Sequence, residues 1–205
     1  AAVRLTSRER FLYLIQEYEP LTVPPGSWAA LAQDSYRLPH HGLFSTGILR
    51  DYFREQGYGV YSPAAGEADS LTFQNAITAV EPPSAGELSG RTERKLLFYA
   101  RPEAHAARNM FELGLIAIRS AVAEGVFDSS WSFGGVGSLG GPASIPLPRG
   151  RSLDLTPRRS QSGYGELLAG NDIGLALMYA PHPSLVPIEM ASAGMLTVTN
   201  TYETK

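Results

Sequence analysis

Short apolar runs alternate along the chain with longer stretches in which apolar residues recur at helical spacing. The apolar runs predict buried strands at 11–15, 41–44, 60–61, 95–99, 131–136, 152–155, 173–178 and 195–199. The other stretches predict helices at 27–36, 46–56, 105–124, 164–169 and 185–193. Strands that alternate with helices in this way predict an α/β fold, a Rossmann-like parallel sheet with helices on both faces.

Residues 62–94 interrupt this alternation, because they are rich in Pro, Gly, Ala, Ser and Glu. The later part of the stretch, which we interpret as a linker, contains Pro82, Pro83, Gly86 and Gly90. We therefore expect two parts, residues 1–90 with the linker and residues 91–205. Because predicted strands lie close to both ends of the sequence, we also expect it to be a piece of a longer protein.

Two local predictions concern the middle of the chain. The helix at 105–124 places Met110, Leu113 and Ile116 on one face. The run 134–141 is rich in glycine but lacks the lysine of a P-loop, and no dinucleotide-binding pattern opens a helix there. We interpret this run as a flexible turn after a strand. The alternative is that it passes close to a bound donor.

Composition excludes several classes of function. The 205 residues carry a net charge of −3, which does not favour nucleic acid or an anionic membrane as a partner. The chain has no cysteine, so disulfides, thiolate metal sites and cysteine nucleophiles are excluded. We see no apolar run long enough for a transmembrane segment and no signal peptide, and we therefore expect a cytoplasmic protein.

The most informative segment is 172–200, which predicts a strand, a tight loop, a short helix, a glycine stop and a second strand. Ser184 is placed to cap the helix at its beginning, and Gly194 to end it. Glu189 lies one turn into this helix. A carboxylate at that point can accept two hydrogen bonds from a ribose diol, as the acidic residue of dinucleotide folds does.

This segment resembles the donor-binding signature of retaining glycosyltransferases with two Rossmann-like domains, the GT-B fold. In that signature two glutamates are separated by seven residues and followed by small residues and a glycine. Glu189 matches the second glutamate, and Ala191 and Gly194 match the tail, whereas Pro181 stands in place of the first glutamate. The residue pattern from Pro181 to Asn200 resembles that of the WsaF-type rhamnosyltransferases and related rhamnan-synthesis proteins.

The resemblance implies roles for further residues. By similarity at 95–114, Arg101 and Arg108 would clamp the diphosphate of the donor, where fixed cations stabilise the departing nucleoside diphosphate. His182, Ser184 or backbone N–H groups would replace the first glutamate. The loop before Tyr164 would face the nucleotide base. A weaker similarity at 11–61 implies the end of the N-terminal, acceptor-side domain.

These matches imply a hexosyltransferase of surface polysaccharide biosynthesis. It would transfer a sugar, with retention, from a nucleoside-diphosphate donor such as dTDP-L-rhamnose to a growing glycan acceptor, without a metal or another cofactor. In this interpretation 91–205 is the donor-binding domain and 1–90 a remnant of the acceptor-side domain. The alternatives are a non-catalytic nucleotide-sugar or glycan-binding module, and a nucleotide-sugar epimerase on the same fold.

Each candidate residue also has an ordinary structural interpretation. Glu189 can be a solvated helix residue, and Arg101 a surface salt-bridge partner. Arg108 can decorate the long helix, and His182 can fill a rigid loop between two prolines. Only the positions of these side chains in the fold decide between the two interpretations.

Overall fold

The computed structural model describes residues 11–63, 69–157 and 159–205. Contacts divide the chain into two compact units. The small unit contains the described residues up to Ala76, together with Tyr179–Pro183 and Thr201–Lys205. The large unit contains Ile77–Met178 and Ser184–Asn200, so residues 77–90 belong with the strands and helices that follow them.

The small unit is built on a parallel sheet of three strands in the order β1-β2-β3. Its elements in chain order are β1 (Leu12–Ile15), α1 (Ser27–Ser35), β2 (His41–Phe44), α2 (Gly47–Gln56) and β3 (Ser70–Thr72). Short 3-10 turns follow β1 at Glu19–Thr22 and α2 at Gly59–Tyr61. The strands predicted at 11–15 and 41–44 are confirmed within one residue.

Local chemistry explains α2, the helix predicted at 46–56. The Thr46 side chain accepts a hydrogen bond from the Leu49 N–H at 3.0 Å and so caps the beginning of the helix. Gly57 ends it with a left-handed φ of 64°, a conformation that glycine adopts without steric cost. The helix buries Leu49 and Phe53 in a core rich in tyrosine and phenylalanine rings.

One strand prediction for the small unit is wrong, and one strand was missed. Residues 60–61 begin no strand but belong to a 3-10 turn, because Gly59 has a φ of 57° and the chain turns back on itself there. The missed strand, Ser70–Thr72, lies in the stretch that interrupts the predicted alternation. Its pairing with β2 stabilises it, and such a long-range contact leaves no local signal.

The large unit contains a six-stranded sheet in the order β6-β7-β5-β4-β8-β9, in which only the β6–β7 pair is antiparallel. The strands are β4 (Arg94–Tyr99), β5 (Trp131–Ser138), β6 (Ala143–Leu147), β7 (Arg151–Pro157), β8 (Ile173–Leu175) and β9 (Leu196–Val198). Counted along the chain, the parallel strands are ordered 3-2-1-4-5, the Rossmann order. The predicted α/β, Rossmann-like fold is confirmed.

Helices cover both faces of this sheet, as predicted. They are α4 (Phe111–Glu124) on one face and α5 (Gln161–Ala169) with α6 (Val186–Ser192) on the other. A further short helix, α3 (Ala85–Ser89), precedes β4 and buries no residue. Side chains alternate along β4, so that Phe98 packs in the cluster of α4 while Leu97 packs with Leu168 of α5 and Met190 of α6. The approach of α4 is close, because a Cβ at Gly114 would lie 2.3 Å from the Phe98 ring.

The helix predicted at 105–124 is interrupted. A 3-10 turn spans Ala104–Asn109, Met110 takes a left-handed φ of 52°, and α4 begins only at Phe111. The predicted face is also wrong, because Leu113 and Ile116 are exposed. The face that α4 buries against the sheet is formed instead by Phe111, Gly114, Ile118 and Val122.

The glycine-rich run is mostly strand. β5 continues to Ser138, and the turn after it leads into β6, which the sequence analysis missed. Glycines allow close strand packing here, since a Cβ at Gly135 would lie 2.4 Å from the Leu155 side chain. β5 and β7 are therefore joined through an edge strand rather than through a helix. The remaining predicted strands are confirmed, although β8 ends at Leu175 rather than at Met178.

Candidate functional site

The strand order of the large unit reverses between β4 and β8. In open parallel sheets, ligands bind beyond the carboxyl ends of the strands at such a reversal. The loop that follows β4 carries Arg101, and the helix that follows β8 carries Glu189. Two of the predicted site residues, Arg101 and Glu189, therefore lie on segments that leave the sheet at the carboxyl ends of its strands.

Arg101 is mostly buried and extensively bonded, with 11% of its side chain exposed. Its Nε donates to Glu103 Oε2 at 3.3 Å, its Nη1 donates to the Tyr99 hydroxyl at 3.3 Å, and its Nη2 lies 3.2 Å from His105 Nε2. Burial alone would lower the pKa of Arg101, but the contacts with Tyr99 and Glu103 raise it above its ordinary value. The guanidinium therefore stays charged and keeps two of its five N–H donors for other partners.

Glu103 ties the loop after β4 to the loop after β5. Its carboxylate pairs with Arg101 and also accepts a hydrogen bond from the Leu139 N–H. Burial raises the pKa of Glu103, but the bonds from Leu139, from its own backbone, from Arg101 and from Ser138 outweigh burial and lower it to about 2. We call Arg101, Glu103 and the residues that they bond the latch.

The glycine-rich turn belongs to the latch rather than to an anion cradle. Gly137 has a φ of 110°, and a Cβ there would lie 2.8 Å from the Tyr99 ring and 3.0 Å from Arg101 Cδ. The Leu139 N–H donates to Glu103, and the Gly140 N–H donates to the Ser138 hydroxyl. These N–H groups are therefore bonded to the protein itself.

Arg108 lies in the 3-10 turn before α4 and is half-buried. It follows the latch in sequence and occupies the turn that replaces the beginning of the predicted helix. The predicted role as decoration of a long helix is therefore wrong, because no long helix is present at this residue.

Glu189 is buried on α6, with only 9% of its surface exposed. Its Oε1 accepts a hydrogen bond of 3.1 Å from the backbone N–H of Thr78. The interpretation of Glu189 as a solvated helix residue is thus wrong. A carboxylate buried in this way needs hydrogen bonds, and Thr78 occupies one of its two oxygens.

Tyr164 of α5 lies next to Glu189. Its hydroxyl is buried and makes no hydrogen bond of normal geometry to any described residue. Burial raises the pKa of Tyr164, and Glu189 raises it further through its negative charge and through a side-chain hydrogen bond with the phenol. The phenol therefore remains protonated, with the Glu189 carboxylate as a poorly aligned acceptor. We call Glu189, Tyr164 and Thr78 the carboxylate cluster.

A cavity of about 550 Å³ adjoins this cluster at Thr78. One side is formed by an extended segment of Thr78, Ala79, Val80 and Glu81, and the other by Gln161, Ser162, Gly165, Glu166 and Ala169 of α5. Its volume is within the usual range for pockets that bind small molecules. Its lining combines hydroxyl, amide and carboxylate groups with small apolar side chains.

Comparison with known proteins identifies the family. The C-terminal domain of WsaF matches residues 94–205, which is more than half of the chain. The chain belongs to the WsaF family. The O-antigen biosynthesis protein RfbC of Myxococcus xanthus is 29% identical to it over 195 residues, which cover 92% of this chain and 14% of that protein.

The WsaF match covers the latch and most of the carboxylate cluster, but it begins after Thr78. Glu103 and Thr78 were missed by the sequence analysis. Glu103 stands two residues after a predicted phosphate ligand, where an acidic residue already suggests an ion pair. Thr78 acts through its backbone N–H, and nothing in its residue type signals that role.

The other residues of the WsaF signature are placed as follows. Gly194 ends α6 with a φ of 85°, which confirms its predicted role. Ser184 was wrongly predicted as the cap, because it has a left-handed φ of 65° and the helix is preceded by Leu185. Pro181 and His182 are buried and belong to the small unit, whereas Ser184 and Glu189 belong to the large one.

Neither a metal site nor a membrane span is found in the part of the chain that the structure describes. No group of three or more His, Cys, Asp or Glu residues is arranged there to hold a metal ion. None of the helices within the described ranges is long and apolar enough to cross a bilayer. The longest of them, α4, has 14 residues, whereas a span needs about 20.

Proposed function

We propose that this chain is the donor-binding part of a glycosyltransferase of polysaccharide biosynthesis with the GT-B architecture. Membership of the WsaF family supports the proposal, as does similarity to a protein named for O-antigen biosynthesis. The observation that carries it is the carboxylate cluster, in which a buried carboxylate lies beside a buried phenol whose hydroxyl has no well-aligned hydrogen bond to any described residue. A buried hydroxyl in that state is costly in a folded protein unless a ligand improves its hydrogen bonding.

Glu189 and Tyr164 would bind the sugar of the donor nucleoside. With Oε1 bonded to Thr78, Oε2 of Glu189 accepts a hydrogen bond from a sugar hydroxyl. The Tyr164 hydroxyl donates to, or accepts from, the same sugar. The adjoining cavity of about 550 Å³ would take the rest of the nucleoside, with Gln161 and Ser162 at its wall.

Arg101 and Arg108 would bind the diphosphate. The two N–H donors that Arg101 keeps outside the latch suit a phosphate oxygen, and its charge is fixed in place before the ligand arrives. As the bond between the anomeric carbon and the diphosphate oxygen breaks, that oxygen gains negative charge. Preorganised cations stabilise this charge more than they stabilise the ground state.

The reaction would be sugar transfer with retention and without a metal. An acceptor hydroxyl forms a bond to the anomeric carbon, its proton passes to the departing diphosphate, and the nucleoside diphosphate leaves. The centre passes through an oxocarbenium-like state, as in glycoside hydrolysis. We propose a hexosyl donor, with dTDP-L-rhamnose as the first to test, a growing surface glycan as the acceptor, and the cytoplasm as the place of reaction.

Three proposed residues rest on the family resemblance alone. Pro181 occupies the position of the first signature glutamate, and His182 and Ser184 are the neighbouring polar residues that would take over its contact with the sugar. The proposed division into a donor-binding domain at 91–205 and an acceptor-side remnant at 1–90 rests on the same resemblance, but residues 77–90 pack in the large unit and join the donor-binding part in this proposal.

A second candidate function is a non-catalytic module that binds nucleotide sugars or glycans. Pro181 favours it, because proline supplies neither the charge nor the hydrogen bonds of the first glutamate. This module would keep the carboxylate cluster and bind the donor, and it would release no nucleoside diphosphate when an acceptor glycan is added.

Calorimetric titration with dTDP-rhamnose, UDP-glucose and GDP-mannose tests the proposal. We expect saturable binding of one donor by the wild type and a loss of at least about 10-fold in affinity in Glu189→Gln, which keeps the shape but not the charge. Glu124→Gln, an exposed glutamate at the end of α4, is the matched control and is expected to bind like the wild type. Failure of the wild type to bind any of the three donors would overturn the donor-site proposal.

A further inference from the structure

The segment Ile77–Pro83, which we call the strap, precedes the WsaF match but packs against its helices. Val80 packs in the same cluster as Tyr164, Leu168 and Met190. A stretch that the sequence marks as part of a linker therefore has a defined place in the large unit.

Glycines lie where the strap meets α5 and the end of α6. A Cβ at Gly165 of α5 would be 3.5 Å from Val80 Cγ2, which is ordinary contact distance, so a side chain larger than alanine would meet the strap there. A Cβ at Gly194, after α6, would be 3.2 Å from Pro82 Cβ, which is tighter than normal contact, so any side chain there would press on the strap.

The strap contacts the carboxylate cluster at one point, through the Thr78 backbone. The 3.1 Å bond from the Thr78 N–H to Glu189 Oε1 joins residues 111 positions apart in sequence. A buried carboxylate that accepts a backbone N–H is held in one orientation, with its second oxygen pointing in a fixed direction. The same strap residues form one wall of the 550 Å³ cavity.

We propose that the strap is part of the donor site, in which the Thr78 N–H positions Glu189 and Thr78–Glu81 form a wall of the nucleoside cavity. This inference rests on the proposed function. Thr78 is a positioning residue, since it acts through Glu189. A consequence is that the domain delimited by the WsaF match, beginning at residue 94, lacks one wall of its own ligand site.

Proline substitution of Thr78 tests the inference in the full chain, because proline removes the N–H donor. Thr78→Ala keeps that N–H, and Ala76→Pro places a proline at an exposed residue outside the cavity wall. With dTDP, UDP and GDP as probes, we expect Thr78→Pro to bind the preferred nucleotide roughly 10-fold more weakly than Thr78→Ala, whereas Ala76→Pro stays close to the wild type. Equal affinity of Thr78→Pro and Thr78→Ala would overturn the inference.

Epistasis separates positioning from a general loss of structure. If Thr78 acts through Glu189, Thr78→Pro has no further effect on affinity in a Glu189→Gln background, and the two changes are non-additive. Additive losses would mean that the proline acts elsewhere and would contradict the inference. If the wild type binds, Glu189→Gln loses binding and Thr78→Pro keeps it, the proposed function stands and only the inference about the strap is overturned. If the wild type does not bind, both the proposed function and the inference are overturned.

If Thr78→Pro does not fold, hydrogen exchange in the wild type and in Glu189→Gln tests the inference instead. Hydrogen exchange of the Thr78 amide in the wild type is expected to slow when the preferred nucleotide binds, because the ligand fixes Glu189 and strengthens its bond to this N–H. The same amide in Glu189→Gln is expected to exchange faster and to show no change with nucleotide. Unchanged exchange in the wild type at saturating nucleotide would contradict the inference.

Discussion

The latch and the carboxylate cluster lie on the same Rossmann-like unit, yet they satisfy their polar groups in different ways. In the latch, the carboxylate of Glu103 receives hydrogen bonds from Arg101, Leu139 and Ser138, and its pKa falls to about 2. In the carboxylate cluster, Glu189 receives one backbone hydrogen bond, and the Tyr164 hydroxyl lies beside Glu189 without a well-aligned hydrogen bond to any described residue.

This difference distinguishes polar groups that stabilise the fold from polar groups that bind a ligand. A charged group whose bonds are all supplied by the protein holds loops together and contributes to stability. A buried group with capacity left costs stability in the free protein and regains it when a ligand supplies the missing bond. Changes at Glu103 and Gly137 of the latch should therefore act mainly on the free energy of unfolding, and changes in the carboxylate cluster mainly on affinity. Arg101 belongs to the latch and to the proposed diphosphate site, so its substitution should affect both.

The largest effect on stability is expected from Glu103→Ala. It leaves Arg101 buried without its partner and removes the acceptor of the Leu139 N–H, and we expect unfolding to become easier by about 3 kcal/mol. Urea denaturation measures this change. Glu93→Ala, an exposed glutamate before β4, is the control and should change stability by less than about 0.5 kcal/mol. If Glu103→Ala is as stable as this control, the hydrogen bonds of Glu103 do not stabilise the fold, and the role given to the latch is contradicted.

Gly137→Ala should have the next largest effect. The φ of 110° at Gly137 is one that other residues rarely adopt, and the added Cβ would lie against the Tyr99 ring and Arg101. We expect a loss of about 2 kcal/mol in the free energy of unfolding. Gly141→Ala, where the added Cβ meets nothing within 4 Å, should stay close to the wild type in the same urea titration.

Glu19 of the small unit extends the comparison to pH. Its Oε2 is buried and finds no hydrogen-bond partner among the described residues, and burial raises its pKa to about 7. Because the folded pKa lies above the ordinary value of 4.5, ionisation of Glu19 lowers stability as the pH rises from 4.5 to 7. Glu103 has the opposite sign, since its contribution is present above pH 4.5 and is lost as the pH falls toward 2.

Glu19→Gln is therefore expected to be more stable than the wild type by about 1 kcal/mol at pH 8 and equally stable at pH 4. Chemical denaturation at several pH values measures the difference. A difference that is the same at both pH values would show that burial of the carboxyl group is not its cause.

The smallest effect on stability is expected from Tyr164→Phe. Removal of a buried hydroxyl that has no well-aligned partner should change the free energy of unfolding by no more than about 0.5 kcal/mol. Donor affinity should fall by roughly 10-fold in the same variant, because the bound sugar loses one hydrogen bond. A large loss of stability with unchanged donor affinity would mean that Tyr164 stabilises the fold and does not bind the ligand, which contradicts the role given to the carboxylate cluster.

Much of the fold could be predicted because its signals are local. Apolar runs marked the strands, and Thr46, Gly57 and Gly194 marked helix ends through their own conformations. Resemblance directed attention to Glu189 and Tyr164, which the structure places next to each other. The break at Met110 and the edge strand β6 could not be predicted, since tertiary packing rather than residue type produces them.

The candidate site was less predictable than the fold. Arg101 was found, but its bonds to Tyr99, Glu103 and His105 were not, because side-chain pairing depends on the loops that the fold brings together. Ser184 was assigned as a cap from its residue type, and its backbone conformation rules that out. The contribution of the strap could not be predicted from the sequence, since it is made by a backbone N–H.

A double-mutant cycle between Glu189 and Tyr164 tests the central claim most directly. Affinity for whichever of dTDP, UDP and GDP the wild type binds most tightly is measured by calorimetry in Glu189→Gln, Tyr164→Phe and the double variant. If both side chains hold one ligand, each single variant binds more weakly, and the double variant loses less than the sum of the two, with a coupling of about 1 kcal/mol. Single variants that bind like the wild type, or no binding of any of the three nucleotides by the wild type, would contradict the account.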